Sequence, residues 1–535
     1  MLPGVNIIKV PMKTINKWHA ASFLIITAVF LLSAFGKNRF PYFLDIYYHL
    51  NIMRGFDSAG GIVHRAFWEL APSGQPLIYP PLFHLLMLIP FKLGAGVLWI
   101  AKFSSIIPVI LLLAAIVFAA ARMLSAKSAF FVALAFCIPY SFFLKMTITV
   151  PVAISLSFMI LAFCALEKRN FVPFSIFLAL IFYTHPAMPW MICPAFAVYA
   201  AFQRDARARI FKWIFFAIAL AAPQIAVTLG NLGSMAGPLG IPMPEGKMFE
   251  IYPVIYLLAA AGIAKAGSIW GPQGKRIRLF AFLLFIAFLP LAVNYRFRYI
   301  SAEGMFPVLL LAGGGLEYVY DRLKNLLHIQ NRAKSLGIIY TAAFSVVFMV
   351  LSPTLSSYVP MEPPYDRYEF SSHLSDSTVI NLVPRLKTHT RPFEINLVDD
   401  MAKNWARIIE ANTSDNDIIC SNDAFIGGML SALTGRANSA RTYLEMEEPE
   451  IPISEFGVAK AAIWLRESNG KFSSEINECI LRFGYTVIHM DEGAAILLKQ
   501  SGSKTVPAEP IISIPAAFIF FFVYTATAFY GLFKP

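Results

Sequence analysis

Long apolar runs separated by short polar ones dominate the chain. Runs at about 20–36, 101–122, 128–146, 150–166, 171–186, 187–203, 210–230, 250–266, 277–294, 299–321, 335–354 and 511–532 approach the ~20 residues a helix needs to cross a hydrocarbon core. The pattern predicts a polytopic α-helical membrane protein with about twelve spans. Residues 79–100 are equally apolar, but Pro80, Pro81, Pro90, Gly94 and Gly96 interrupt them. Those breaks predict a bent helix lying at the interface rather than a further span. From Leu355 to Pro510 the pattern shortens. β-like runs such as "DIICS" (417–421) and "AAILLKQ" (494–500) alternate with the helix-like "NWARIIEAN" (404–412). The expected organisation is a membrane domain over 1–354 with a first external loop at 37–100. A small α/β domain follows over 355–510, then a last span over 511–535. The Pro/Ser-rich stretch "LSPTLSSYVPMEPPYDRYEF" (351–370) reads as the linker into the α/β domain.

Charge assigns the sides. "QRDARARIFK" (203–212), "GPQGKRIR" (271–278) and "DRLKNLLHIQNRAK" (321–334) are strongly basic and are expected in the cytoplasm. Counting back through the spans leaves the basic N-terminus inside and the first loop outside. "FYTHPAMPW" (182–190), "MPEGKMFE" (243–250), "NYRFRYISAEG" (294–304) and residues 355–510 fall on the same external face. Composition agrees: charged residues make up 14% of the 535, against roughly a quarter in soluble domains. The net charge of +12 sits in short loops, as the positive-inside rule expects, and so argues for no nucleic-acid partner. The five cysteines show no CxxC spacing. Cys137, Cys164 and Cys193 lie in apolar runs, while a Cys420–Cys479 pairing is left open.

Candidate chemistry gathers in the first loop. "FPYFLDIYYHLNIMRGFDSAGG" (40–61) places Asp45, Tyr47, Tyr48 and His49 just beyond the first span. Asp45 suits a general base toward a hydroxyl, a hard ligand for a divalent cation (Mg or Mn), or simply a helix cap. "FWELAPSGQPLIYPPLFHLL" (67–86) adds Trp68, Glu69, Tyr79 and His84, a ligand-facing surface followed by a rigid proline turn. Glu69 reads equally as a second acid or a salt-bridge partner. Tyr47, Tyr48 and Trp68 read as sugar-stacking rings or as interfacial anchors. The spacing of His49, His64 and His84 matches no zinc pattern. Asp57, within "GFDSAGG", is the weaker rival base. His185 reads as a contact to a donor head group or as a helix-end anchor. Arg296 and Arg298 break the positive-inside trend, and an anionic ligand would explain them. At most one should face it, since two residues apart on a helix lie ~200° apart.

The Asp followed by Tyr-Tyr-His, then "WE.AP.G.P..YPPL.H", resembles the GT-C superfamily of membrane glycosyltransferases. Within it, the loop is similar to the catalytic subunit of oligosaccharyltransferases and its prokaryotic relatives. "SNDAFIGGMLSALTGRANSAR" (421–441) is a weaker echo, with Asp423, Gly427 and Arg436 where related enzymes place substrate-side residues. Two departures stand out. "CSNDAFIGG" (420–428) lacks the tryptophan pair that helps read a protein sequon. "YSFFLKMTITVPVA" (140–153) carries Lys145, Thr147 and Thr149 where an acidic motif would help hold a metal. The resemblance therefore implies a metal-independent transfer from a polyprenyl-phosphate-type donor to a lipid, glycan or protein acceptor. Asp45 would be the base, and Arg296 or Arg298 would meet the phosphate. A metal-dependent oligosaccharyltransferase and a lipid or polysaccharide flippase are the alternatives.

Overall fold

The computed structural model describes residues 16–36, 40–41, 45–148, 150–231, 249–294, 296–329, 334–358, 369–383, 385–387, 398–440, 451–467 and 470–533. Twelve helices or helix pairs follow the apolar runs in order. They begin with α1 (Lys17–Phe35), whose first turn is capped by Asn16. The short α2 (Asp45–Ala59) and α3 (Leu82–Lys92) precede α4 (Val97–Met123). Then come α5 (Ala126–Cys137), α6 (Tyr140–Ile148), α7 (Val150–Glu167), α8 (Phe171–Phe182), α9 (Met188–Phe202), α10 (Arg207–Leu220) and α11 (Ala222–Gly230). The series continues with α12 (Pro253–Ile269), α13 (Gly271–Ala287), α14 (Pro290–Asn294), α15 (Arg296–Ser301), α16 (Phe306–Leu326) and α17 (Lys334–Val350).

Two predicted spans are bent rather than straight. α5 and α6 meet at 78° where Pro139 breaks the hydrogen-bond ladder, and α10 and α11 meet at 63° beside Pro223. Among the described residues, four helices are long and apolar enough to cross a membrane, or up to six if each bent pair is one span. The 11 residues of α3 extend roughly 16 Å, about half a hydrocarbon core. Alone, α3 cannot cross it.

The expected linker is corrected in part. After the two-residue strands β1 (Gly61–Ile62), β2 (Arg65–Ala66) and β3 (Gln75–Pro76) of the first loop, Thr354–Tyr358 (β5) pairs antiparallel with Phe249–Ile251 (β4) on one side and Glu369–His373 (β6) on the other. The Ser/Thr-rich face of these residues is used for pairing: the hydroxyls of Ser356 and Ser371 lie 2.7 Å apart. Asp376, fully buried beside this sheet, accepts from Tyr252, Thr354 and Asn381, which ties it to the helices.

Residues 398–498 contain the helices α19 (Asp400–Asn412), α20 (Ala424–Thr434) and α21 (Glu475–Phe483), after the five-residue α18 (Thr378–Leu382). They flank a five-stranded sheet of β7 (Ile418–Ser421), β8 (Ala437–Asn438), β9 (Ala461–Leu465), β10 (Thr486–Met490) and β11 (Ala494–Leu498). The order is β10-β11-β9-β7-β8, parallel across β9-β7-β8 and antiparallel elsewhere. The central strands are buried and apolar but for Ser421 at the end of β7, because both faces are covered. Cys420 and Cys479 are free and buried, so the pairing left open does not form. The last helix, α22 (Ile514–Phe533), packs on α8.

The first loop is fixed to this sheet region. Asn438 N donates to Trp68 O at 2.9 Å and Ala71 N to Asn438 O at 3.0 Å. From α2, Asn51 Nδ2 donates to Gly428 O at 3.1 Å and Arg54 Nη2 to Leu433 O at 2.8 Å. A methyl built on Gly55 would overlap the Trp68 ring, so only glycine lets that ring lie on the helix.

Candidate functional site

α2 carries its polar residues on different faces, and the helical period sorts them. Asp45 opens the helix, a favourable place for an anion because the first N–H groups point outward. Tyr48 and His49 lie three and four residues on, hence on the same face one turn away. Tyr47 lies on the other side, buried in the core, with no hydrogen-bond partner for its hydroxyl among the described residues. Burial pushes that phenol further above its ordinary range. The expectation that Tyr47 joins the ligand face is thereby corrected: ~200° of helical rotation carries it away from Asp45.

The Asp45 face meets α3 and the turn between α8 and α9. His49 Nδ1 lies 2.9 Å from His84 Nε2, and His84 Nδ1 lies 3.1 Å from the Pro80 carbonyl. A carbonyl only accepts, so His84 Nδ1 carries the proton and its Nε2 accepts from His49 Nδ1–H. His49 Nε2 is then the lone-pair nitrogen. The Tyr79 ring packs edge-on against Tyr48 (5.5 Å), His49 (5.0 Å) and His185 (6.0 Å). His185 Nδ1 accepts from the backbone N–H of Ala187 (3.1 Å) and Met188 (3.3 Å), anchoring the start of α9 and leaving Nε2 protonated. His185 thus holds the start of α9, as its helix-end reading expects.

All three histidines are neutral. Burial, then the neighbouring His84 and His185, holds His49 well below the ordinary imidazole range. Burial lowers His84 to about 3, opposed by the Pro80 carbonyl. Burial, then the positive charge of Arg298, lowers His185 to about 3. Arg298 itself lies on α15. Its Nε donates to Glu303 Oε1 at 2.9 Å, its Nη2 contacts the same oxygen, and Glu303 is fully buried. Arg296 is exposed, so of the two arginines one faces inward. Beside them the ammonium of Lys145, almost wholly buried, sits 3.9 Å from the centroid of the Phe297 ring. Lys145 was legible only as a lone cation in an apolar run, and that signal marks it in retrospect.

Other expected residues have structural employment elsewhere. Trp68 lies at the far end of α2, against Gly55, roughly 15 Å along the axis from Asp45. Glu69 is buried and accepts from Gln75 Nε2 at 2.5 Å within the loop. Asp57 pairs with Lys92. Asp423 caps α20, accepting from the N–H of Phe425 and Ile426 at 2.9 Å each. Arg436 donates to Thr413 O at 2.9 Å and to Thr434 O, which holds the edge of the sheet region. Arg436 also donates to the Thr413 hydroxyl at 3.1 Å and pairs with Asp415, so both residues, read as substrate contacts, have structural roles here. His64 is exposed, away from the other two loop histidines. Among the described residues no group of three or more His, Cys, Asp or Glu side chains is placed to hold a metal. Residues 243–248 of the expected external cluster lie outside the described residues.

No family model matches the sequence. No curated protein matches it significantly either. Solved structures do match. The archaeal oligosaccharyltransferase AglB from Archaeoglobus fulgidus, in complex with an inhibitory peptide and a dolichol-phosphate, aligns with a TM-score of 0.55 and 11% identity over 84% of this chain and 69% of that one. The A. fulgidus oligosaccharyltransferase complex with Zn and sulfate gives 0.51 and 12% over 83% and 68%. ArnT from Cupriavidus metallidurans, bound to undecaprenyl phosphate, gives 0.49 and 13% over 92% and 99%. At these identities the likeness is one of architecture: the chain has a GT-C-like membrane fold.

Proposed function

We propose that this chain is an integral-membrane glycosyltransferase of about twelve spans with an external α/β domain. It moves a sugar from a polyprenyl-phosphate-type donor to a lipid, glycan or protein acceptor at the extracytoplasmic face. The observation that carries the reading is the cluster on one face of α2: Asp45 lies a turn from Tyr48 and His49, both of which pack with Tyr79, while His49 meets His84 and Tyr79 meets His185. Asp45 would be the acid of this site and the histidines its donors and acceptors, with Arg298 and Lys145 as the cations assigned to it, on a fold that AglB also has.

In this reading Asp45 takes the proton of the acceptor hydroxyl as its oxygen bonds the anomeric carbon. The bond from that carbon to the phosphate oxygen breaks, and the phosphate leaves with the electron pair. Lys145 and Arg298 supply positive charge toward it, with greatest effect because the site is largely dry. Neutral His49 accepts, and His185 Nε2–H donates, to sugar hydroxyls. The metal-dependent alternative would place Mg or Mn at Asp45, where this chain offers Lys145 rather than a second carboxylate on the facing helix.

Purified protein in liposomes, given polyprenyl monophosphate- and pyrophosphate-linked sugars plus acceptor lipids, peptides and glycans, tests the proposal by mass spectrometry. Transfer that survives EDTA is expected. Movement of intact lipid-linked sugar between leaflets without bond cleavage would replace the proposal with the flippase reading. Loss on chelation, restored by Mg or Mn, would establish the metal-dependent one.

A further inference from the structure

A second, differently built cavity lies between α12, α13 and α16. It has a volume of about 610 Å³, within the ~300–1,000 Å³ of ligand pockets, and its wall is apolar along its length. Ala260, Ile263, Phe282 and Phe285 line it, and Lys275 and Arg278 stand at one end. Close helix contact forms its floor. A methyl on Gly262 would overlap the Leu311 carbonyl, and one on Gly315 the Leu258 carbonyl, so α12 and α16 touch through glycine.

The two ends of the slot differ. At one end Tyr299 donates to Phe285 O (3.0 Å) and Tyr256 to Ile300 O (3.1 Å), which ties it to α15, the helix that bears Arg298. At the other, α12 ends, α13 begins and α16 ends, bringing together Lys265, Lys275, Arg278 and Arg322. Lys265 and Arg322 both lie over the Tyr318 ring, at 5.5 and 5.4 Å. The acids nearby are already matched: Glu317 accepts from Trp270, Asp321 from Lys127 and Glu167 from Arg276. Arg278 spends one N–H on Ile263 O, at 3.1 Å, and keeps others. From Lys275 to Phe285 the helix rises roughly 15 Å, about the depth of one leaflet.

We propose that this slot binds an anionic phospholipid of the leaflet at its basic end, with an acyl chain along Ile263, Phe282 and Phe285 and the phosphate at Lys275 and Arg278. The cations favour an anionic over a zwitterionic head, and one leaflet of depth fits an acyl chain entering from that end. This assignment is independent of the glycosyl-transfer reading, since the catalytic cluster adjoins the opposite end.

Native mass spectrometry of the full chain in mild detergent tests it, with added phosphatidylglycerol, phosphatidylcholine or a polyprenyl phosphate. Wild type is expected to retain one phosphatidylglycerol with a preference of about tenfold or more over phosphatidylcholine. Lys275→Glu with Arg278→Glu should abolish the preference, and Ala260→Trp should block retention of either lipid. Melting curves measured without lipid check that each variant is folded. Equal retention of the two phospholipids, or a preference that survives the double reversal, overturns the proposal. So does retention of polyprenyl phosphate alone, which would give the slot to a donor tail.

Discussion

The two ends of α2 use polar residues in opposite ways. At its C-terminal end Asn51 and Arg54 donate to backbone carbonyls of the sheet region, and Gly55 receives Trp68. Those groups act as mortar. At its N-terminal end Asp45, Tyr48 and His49 face side chains from three other segments, and the histidines bond mainly each other. A helix rigid at one end and chemically equipped at the other is how a loop presents a reactive group with little reorganisation.

The sharpest break in this picture is expected at Arg298. Arg298→Gln should destabilise the protein by about 3–5 kcal/mol, because the fully buried Glu303 carboxylate loses its cation. Adding Glu303→Gln should restore most of that loss, and denaturation of the three proteins in detergent checks it. Catalysis separates from folding in the double variant: it should be stable yet slow if Arg298 meets the phosphate.

At the mortar end, Gly55→Val forces a branched side chain into the Trp68 ring and should cost about 1–3 kcal/mol. Turnover per folded molecule should stay within a few-fold, as assay and melting curve together would show.

Acid should loosen the chemical end first. His49, His84 and His185 have folded pKa values lowered from 6.5, the latter two to about 3. Below 6.5 the unfolded chain binds protons that the folded one does not, so stability falls as pH drops from 6.5 toward 3 and is fully present above 6.5. A melting series from pH 7.5 to 4 should show that fall, and it should shrink in His84→Asn. The smallest effect belongs to Arg296→Gln, whose side chain is exposed: stability within about 0.5 kcal/mol and turnover nearly unchanged.

Much of the architecture was legible because its physics is local. Apolar runs long enough for a bilayer became helices in the predicted order. "DIICS", "AAILLKQ" and "NWARIIEAN" became β7, β11 and α19, whose patterns depend on burial alone. The strand at Thr354–Tyr358 was not, because its partner, Phe249–Ile251, lies a hundred residues away in sequence, and "LSPTLSSY" has the composition of a linker. Tyr48, His49, Tyr79, His84 and His185 pack together with Asp45 a helical turn away, a grouping that their spacing in sequence did not encode. Helical phase carries Tyr47 to the core side, and Asp423, read as a substrate-side residue, caps α20, since a cap and a ligand contact look alike in sequence. Lys145 was read only as standing where an acidic motif would be, because its packing on Phe297 depends on α6 meeting α15, a contact no spacing encodes.

The account rests on Asp45 acting as base while the far end of the same helix serves only to hold it. Turnover, donor affinity and melting temperature of Asp45→Asn and Arg54→Met, measured side by side, test that directly. Asp45→Asn should keep its melting temperature and donor affinity while losing about 10²–10⁴-fold in kcat. Arg54→Met should melt earlier, by about 1.5–3 kcal/mol, with kcat per folded molecule unchanged. Asp45→Asn turning over at the wild-type rate would contradict the account.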